Sequence, residues 1–248
     1  MPTFASSRGA RTVTQHLERP GAQVLPRAGP HSSKGGWGRR SLLGFAVVAA
    51  AFAGYQVLPY LSLDPGASRI PTQDALHYAF LAGHVITGTI AVLCTIAQLW
   101  PWLRRHHPRA HRVSGRIYLF AGALPCAVLA LAMFPVSYGP GSVAVLMSAV
   151  LWSVTAVLGW KTARQRRYAE HRRWMLYSFA IMWGLAFWGF VIGYALKYLS
   201  PVEIDNATVV EAARWVGWVG NLLVVHWWLE RRAGRTVVGV PRRTPATR

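Results

Sequence analysis

Six apolar runs, each close to the length of a bilayer-crossing helix, alternate along this chain with short segments crowded with Lys and Arg. Few folds accept that pattern. The runs fall at Leu42–Leu61, Leu76–Leu99, Val113–Pro135, Ser142–Trp160, Trp174–Leu196 and Val209–Leu229. A hydrocarbon core about 30 Å thick needs roughly 20 helical residues, and no other open structure satisfies its backbone in lipid. The pattern therefore predicts an all-α, polytopic membrane helix bundle with six transmembrane helices. Of the 27 Lys and Arg residues, 24 lie in alternate segments: seven up to Ser41, five in Arg104–Arg116, six in Lys161–Arg173 and six from Arg231 onward. The other three connections hold Arg69, none, and Lys197 with Arg214. Cytoplasmic loops retain Lys and Arg, so the expectation is a multi-pass protein of the cell (plasma) membrane with both termini cytoplasmic.

Composition agrees: 53% of residues are apolar and only 14% charged, and 12 Trp suit the aromatic belts at membrane surfaces. The net charge of +19 does not point to nucleic acid. That would need cations gathered on one folded face, whereas here they abut hydrocarbon-length runs and their nearest partner is the anionic headgroups of the lipid bilayer. Cys94 and Cys126 lie inside apolar runs at unlike depths, which indicates packing and neither a disulfide nor a CxxC metal site.

Residues 1–40 are rich in Gly, Pro, Ser and Arg without apolar period and read as a disordered basic cytoplasmic tail. Residues 41–230 form the transmembrane domain, and 231–248 a second basic cytoplasmic tail. Arg39-Arg40 before an apolar stretch and Ala51-Phe-Ala53 resembles a twin-arginine export signal. The run continues to full spanning length, which favours an uncleaved first span anchored by that pair. Pro71-Thr72 and the capping-box spacing Thr208 to Glu211 look like helix starts, and Pro108 suits a first helical position after His107. The Gly/Pro-rich connection 137–142 makes spans three and four antiparallel neighbours.

Spans three and five run in the same direction and open alike, as His111-Arg112-Val-Ser-Gly-Arg116-Ile-Tyr118 and His171-Arg172-Arg173-Trp-Met-Leu-Tyr177. This suggests a two-helix repeat, spans two and three echoed by four and five. With His84 in an early span, an HR-x-x-G-R-x-Y block and an HRRWM block, the chain resembles a family of predicted multi-span bacterial membrane proteins catalogued as a domain of unknown function. The resemblance covers about residues 76–229 and implies a fold without an established activity.

A helix N-terminus presents free N–H groups and partial positive charge, so Arg112, Arg116, Arg172 and Arg173 make a cationic rim where anions collect. The same field favours neutral imidazoles at His111 and His171, competent as metal or haem ligands. Haem b answers both, with iron for imidazole and propionates for Arg. Interfacial His and Arg reaching lipid phosphates account for the same residues without a cofactor. The candidate cofactor-binding residues are His84, His111, His171, His226, Arg112, Arg116 and Arg172, with one inner haem held by two of His111, His171 and His226. His84 is expected to share an inward face with Asp74, His77 and Gly88 and to bond Tyr194 or Gln56, or to act as a ligand. It lacks a His partner at its own depth, a departure from the layout of two-haem membrane cytochromes.

His106 and His107 read as solvent-facing, Glu211 with Arg214 as a mutually neutralising pair, and Asn221 as an interhelical hydrogen bond. Trp215–Gly220 and the Gly184, Gly189 and Gly193 series read as close-approach surfaces. No Ser-His-Asp set, GxGxxG, Walker loop or paired membrane carboxylates occur, so no catalytic residue is assigned. The leading expectation is a membrane protein binding a haem or quinone-type redox cofactor at its His/Arg-rich cytoplasmic rim. A small-solute transporter or permease-like protein, and an assembly partner docking to another membrane protein, stand as alternatives.

Overall fold

The computed structural model describes residues 39–137 and 139–233. Most of both basic tails and Tyr138 lie outside the described residues, as does the Arg39 side chain. All the regular structure among the described residues is helical. Helix α1 (Arg39–Val57) runs into short 3-10 turns at Leu58–Tyr60 and Pro65–Ala67, followed by α2 (Ala75–Leu99) and a short α3 (Pro101–His106). The third span is α4 (Pro108–Ile117) and α5 (Leu124–Met133), joined by a π-helical turn at Tyr118–Ala123. Then come α6 (Ser142–Arg164) and the fifth span, α7 (Tyr168–Trp183) and α8 (Gly189–Tyr198), joined by a π-helical turn at Gly184–Trp188. The last is α9 (Asn206–Arg232). Six of the resulting continuous helices are long and apolar enough to cross a membrane, at Arg40–Tyr60, Ala75–Leu99, Pro108–Met133, Ser142–Arg164, Tyr168–Tyr198 and Asn206–Arg232. The protein is an all-α polytopic helix bundle.

The helices start where local chemistry caps free N–H groups. Pro108 does occupy the first turn of α4 after His107, although the His107 side chain makes no capping bond. The other two predicted starts shift. Helix α2 is capped by Asp74, whose Oδ1 accepts the His77 N–H at 2.7 Å, and α9 by Asp205, whose Oδ1 accepts the Thr208 N–H at 3.0 Å. The capping box from Thr208 to Glu211 does not form, because Asp205 starts the helix one turn earlier and Glu211 falls beyond its first turn. Helix α6 follows Gly141, whose φ of 73° is in the left-handed region that glycine adopts freely.

Sequential helices pack as antiparallel neighbours. Helix α1 lies on α2, the third span on α2 and α6, α6 on α7, and the fifth span on α9. Helix α9 therefore shares the centre of the bundle with spans two to five, and Trp218 is buried in the main core. Helix α1 also reaches the fifth span through aromatic edges, with Phe45 5.2 Å from Trp183 and Phe52 5.5 Å from Phe187. Ala49, Ala91, Ala123, Ala127 and Ala156 line the core, small residues that let backbones approach where apolar burial gives no preference over lipid. Gly184 is the closest approach: a Cβ there would meet Gly217 O and Trp218 Cα, each at 2.6 Å.

The described parts of the basic segments, Arg104–Arg116, Lys161–Arg173 and Arg231–Arg232, gather at one end of the bundle. The opposite end holds Arg69, Lys197 and Arg214 together with Asp64, Asp74, Glu203, Asp205 and Glu211. Several cations at the basic end lie over interfacial Trp rings, Arg164 over Trp160, Arg231 over Trp227 and Arg232 over Trp228. At the far end Glu211 and Arg214 lie within electrostatic reach of each other, and each also bonds elsewhere. Glu211 accepts the Gly141 N–H and the Trp215 indole N–H, the latter at 2.7 Å, while Arg214 donates to Pro140 O at 3.0 Å. Both brace the turn between α5 and α6.

Candidate functional site

The centre of the bundle holds a polar cluster in a dry setting. Tyr118 and Ser178 are fully buried and Trp152 nearly so. The Trp152 indole N–H donates to the Tyr118 hydroxyl at 2.9 Å, and that hydroxyl shares a hydrogen bond with Ser178 Oγ at 2.6 Å. Three helices are thereby tied at one level. Tyr118 begins the π-helical turn of the third span, a distortion that re-aims side chains.

Seven residues along an α-helix are nearly two turns, which returns a side chain to the same face about 10 Å away. Moving two turns toward the basic end converts Tyr118 to His111, Ser178 to His171 and, on antiparallel α6, Trp152 to Gly159. The helices that present Tyr118 and Ser178 to each other must therefore present His111 and His171 on the same facing sides, with Gly159 in place of the indole. Observed contacts agree. His171 Nδ1 lies 2.7 Å from Gly159 O, and His171, Arg104 and Arg112 are all within electrostatic reach of His111. A carbonyl can only accept, so Nδ1 of His171 carries a proton and donates it to Gly159 O. His111 Nδ1 is buried and has no hydrogen-bond partner. The backbone at His111 is fixed by Gln98, whose Nε2 donates to His111 O at 2.8 Å and to Ser114 Oγ at 2.7 Å.

The two sequence blocks explain themselves at this level. Gly115 makes room for the Gln98 amide, Tyr118 is the hinge of the upper tier, and Met175 lies over Gly159. Arg112, Arg116 and Arg172 are exposed, Arg112 within electrostatic reach of His111 and Arg172 with its guanidinium 6.0 Å from the Trp228 ring.

His226 is not in this tier. Its Nδ1 is 2.9 Å from the Tyr177 hydroxyl, which itself accepts the Arg173 Nε–H at 3.0 Å, and Arg173 pairs with Glu230 at 2.7 Å. The Tyr177–His226 pair borders a recess of about 390 Å³ between α6, α7 and α9, otherwise apolar except for Thr155.

His84 stands apart as well. Its predicted inward face is real: His77 bonds the Gln73 N–H and Ser137, and Gly88 lies against Cys126. The partner of His84 is neither Tyr194 nor Gln56. Its Nδ1–H donates to Cys126 O at 2.9 Å, and the Cys126 thiol returns a bond to His84 O at 3.4 Å, a reciprocal clamp between α2 and α5. No other His approaches it among the described contacts. His106 and His107 are exposed beside Trp102, as expected, and Asn221 makes its interhelical bond to Ala180 O at 2.7 Å.

Two features escaped the sequence reading. Trp152 and Ser178 carry no recognisable motif, and only the seven-residue offset from His171 marks Ser178. The Arg173–Tyr177 and His226–Glu230 spacings are each one helical turn, a usable signal for neighbours on a face. No group of three or more His, Cys, Asp or Glu suited to a bare metal ion occurs among the described residues.

Residues 81–229 match the model of a family described as "Predicted membrane protein (DUF2306)". The chain belongs to this family. The matched region holds every candidate His and Arg of the site and leaves out α1 and both tails. No match is found among curated proteins or among solved structures.

Proposed function

We propose that this member of the DUF2306 family is an integral membrane protein that holds one haem b between its third and fifth spans, with His111 and His171 as the axial imidazoles. The observation that supports this reading is the register of the two spans: Tyr118 and Ser178 are bonded, and His111 and His171 each lie seven residues earlier on the same helices. His171 is already oriented as metal-ligating histidines are, with its Nδ1–H on a backbone carbonyl. Arg112, Arg116 and Arg172 supply the positive rim suited to propionates. Bound there, haem supplies a one-electron centre, and the protein's part is to fix the imidazoles and exclude water with the Tyr118–Trp152–Ser178 tier. The excess of Lys and Arg at the same end supports its assignment to the cytoplasmic side of the plasma membrane, against anionic headgroups.

Haem extracted from the purified full-length chain and quantified as its pyridine complex tests this. One haem per chain is expected, lost in His111→Ala and His171→Ala and retained in His106→Ala and His107→Ala. Retention in His171→Ala, or loss confined to His84→Ala, refutes the assignment.

A further inference from the structure

We infer that the patch where α7 begins and α9 ends is a binding site for an anionic phospholipid, its phosphate held among Arg172, Arg231 and Arg232 and its acyl chains lying along α9. The site does not depend on the haem reading. It follows from the turn spacing of α9. Trp227 and Arg231, like Trp228 and Arg232, are four residues apart and share a face, and each guanidinium lies over its indole, at 4.8 Å and 4.1 Å. Arg172 reaches the same Trp228 ring from α7, with its guanidinium carbon 6.0 Å from the ring centre. Two helices thereby bring cations to one indole, and the guanidinium carbons of Arg172 and Arg232 are at most about 10 Å apart. Both side chains are exposed, so their flexible stems can close on one phosphate between them. One turn further into the bilayer stand Leu223 and Val224, each 61% exposed.

Charge decides what complements the patch. Arg172, Arg173, Arg231 and Arg232 stand there against Glu230, an excess of three positive charges. Glu230 is buried and already paired with Arg173 at 2.7 Å. The other acid at this end, Glu170, is paired with Arg167. The terminal segments 1–38 and 234–248 add Glu18 against nine Lys and Arg, so the counter-charge comes from outside the chain. Guanidinium N–H groups match the oxygens of a phosphate, which makes a phosphate the complementary anion. Free phosphate engages none of Leu223, Val224 and Trp227. A zwitterionic lipid covers that apolar stripe but brings its own cation against the arginines. A phospholipid of net negative charge meets both, with the indoles at the depth where Trp sits at a membrane surface.

The test uses the full-length chain in a nonionic detergent, titrated separately with phosphatidylglycerol and phosphatidylcholine of identical acyl chains, the bound lipid being counted by native mass spectrometry. One phosphatidylglycerol per chain is expected, bound about five- to tenfold more tightly than phosphatidylcholine, the scale of a few exposed charge contacts. Arg231→Gln/Arg232→Gln should abolish that preference, and Arg172→Gln should lower it alone, which reads the contribution of α7. Arg105→Gln/Arg109→Gln removes the same charge from the same end of the bundle, on α3 and α4, and should leave the preference intact. Inorganic phosphate at millimolar concentration should not displace the lipid. All of these variants exchange exposed side chains and should stay monodisperse. Equal affinity for the two lipids, equal loss of preference in the two double variants, an unchanged preference in Arg172→Gln, or displacement by inorganic phosphate overturns the inference.

Discussion

Gly184→Ala probes the contact between the fifth span and α9. The added Cβ would stand 2.6 Å from Gly217 O and from Trp218 Cα, and 3.1 Å from Asn221 Cβ. Two of those atoms are backbone, so no rotamer change relieves the clash, and the helices must part by about 0.8 Å to reach ordinary contact at 3.4 Å. The same movement stretches the Asn221–Ala180 bond from 2.7 Å to the edge of hydrogen-bond range. Overpacking of this kind costs about 1–3 kcal/mol, and losing one interhelical bond in a membrane protein adds roughly 0.6 kcal/mol. Gly220→Ala is the matched control, because nothing lies within 4 Å of its Cβ position and it shares the same helix-propensity gain. The two variants should therefore differ by roughly 2–4 kcal/mol in unfolding free energy, read by titrating mixed micelles with dodecyl sulfate. Equal stability of Gly184→Ala and Gly220→Ala would refute the close-contact argument.

Tyr118→Phe leaves the Trp152 N–H and the Ser178 hydroxyl buried without their partner, and should cost about 1–2 kcal/mol in the same titration. Ser178→Ala should cost less, since Tyr118 keeps its bond from Trp152; the reverse order would contradict the described tier. The Thr208 side chain and backbone N–H hold the Asp205 carboxylate below its ordinary value of 3.8. A depressed folded pKa means the cap is intact above 3.8 and is lost as pH falls through the folded value, so hydrogen exchange at 206–209 should accelerate only on acidification below 3.8. Asp205→Ala should show the fast exchange at neutral pH and lose the pH dependence, whereas an unchanged profile would sink the capping argument.

The span positions were legible because a bilayer forces length and polarity together, and Pro108 marked its own helix start. The starts of α2 and α9 were less so. Asp74 and Asp205 compete with nearby Pro and Thr for the same role, and the choice depends on which backbone turns extended. Glu211 was read as facing Arg214, which it does electrostatically, but its hydrogen-bond donor, the Gly141 N–H, is supplied by a turn 70 residues away. The His111 and His171 blocks announced themselves by repetition. Their relation did not, since it requires Trp152 from the antiparallel helix between them and a contact at Ser178 that no local pattern marks. His84 was read as buried and inward, but its partner is a backbone carbonyl, a group every residue carries.

The central claim, two imidazoles of the parallel third and fifth spans on one iron, is tested most directly by the reduced-minus-oxidised optical spectrum of the full-length protein purified from haem-replete cells. The account predicts the sharp visible bands of a six-coordinate bis-imidazole haem, abolished or shifted when either His111 or His171 is replaced by Ala and unchanged in His226→Ala. A folded, monodisperse and colourless protein, or a spectrum that survives both replacements, would contradict it.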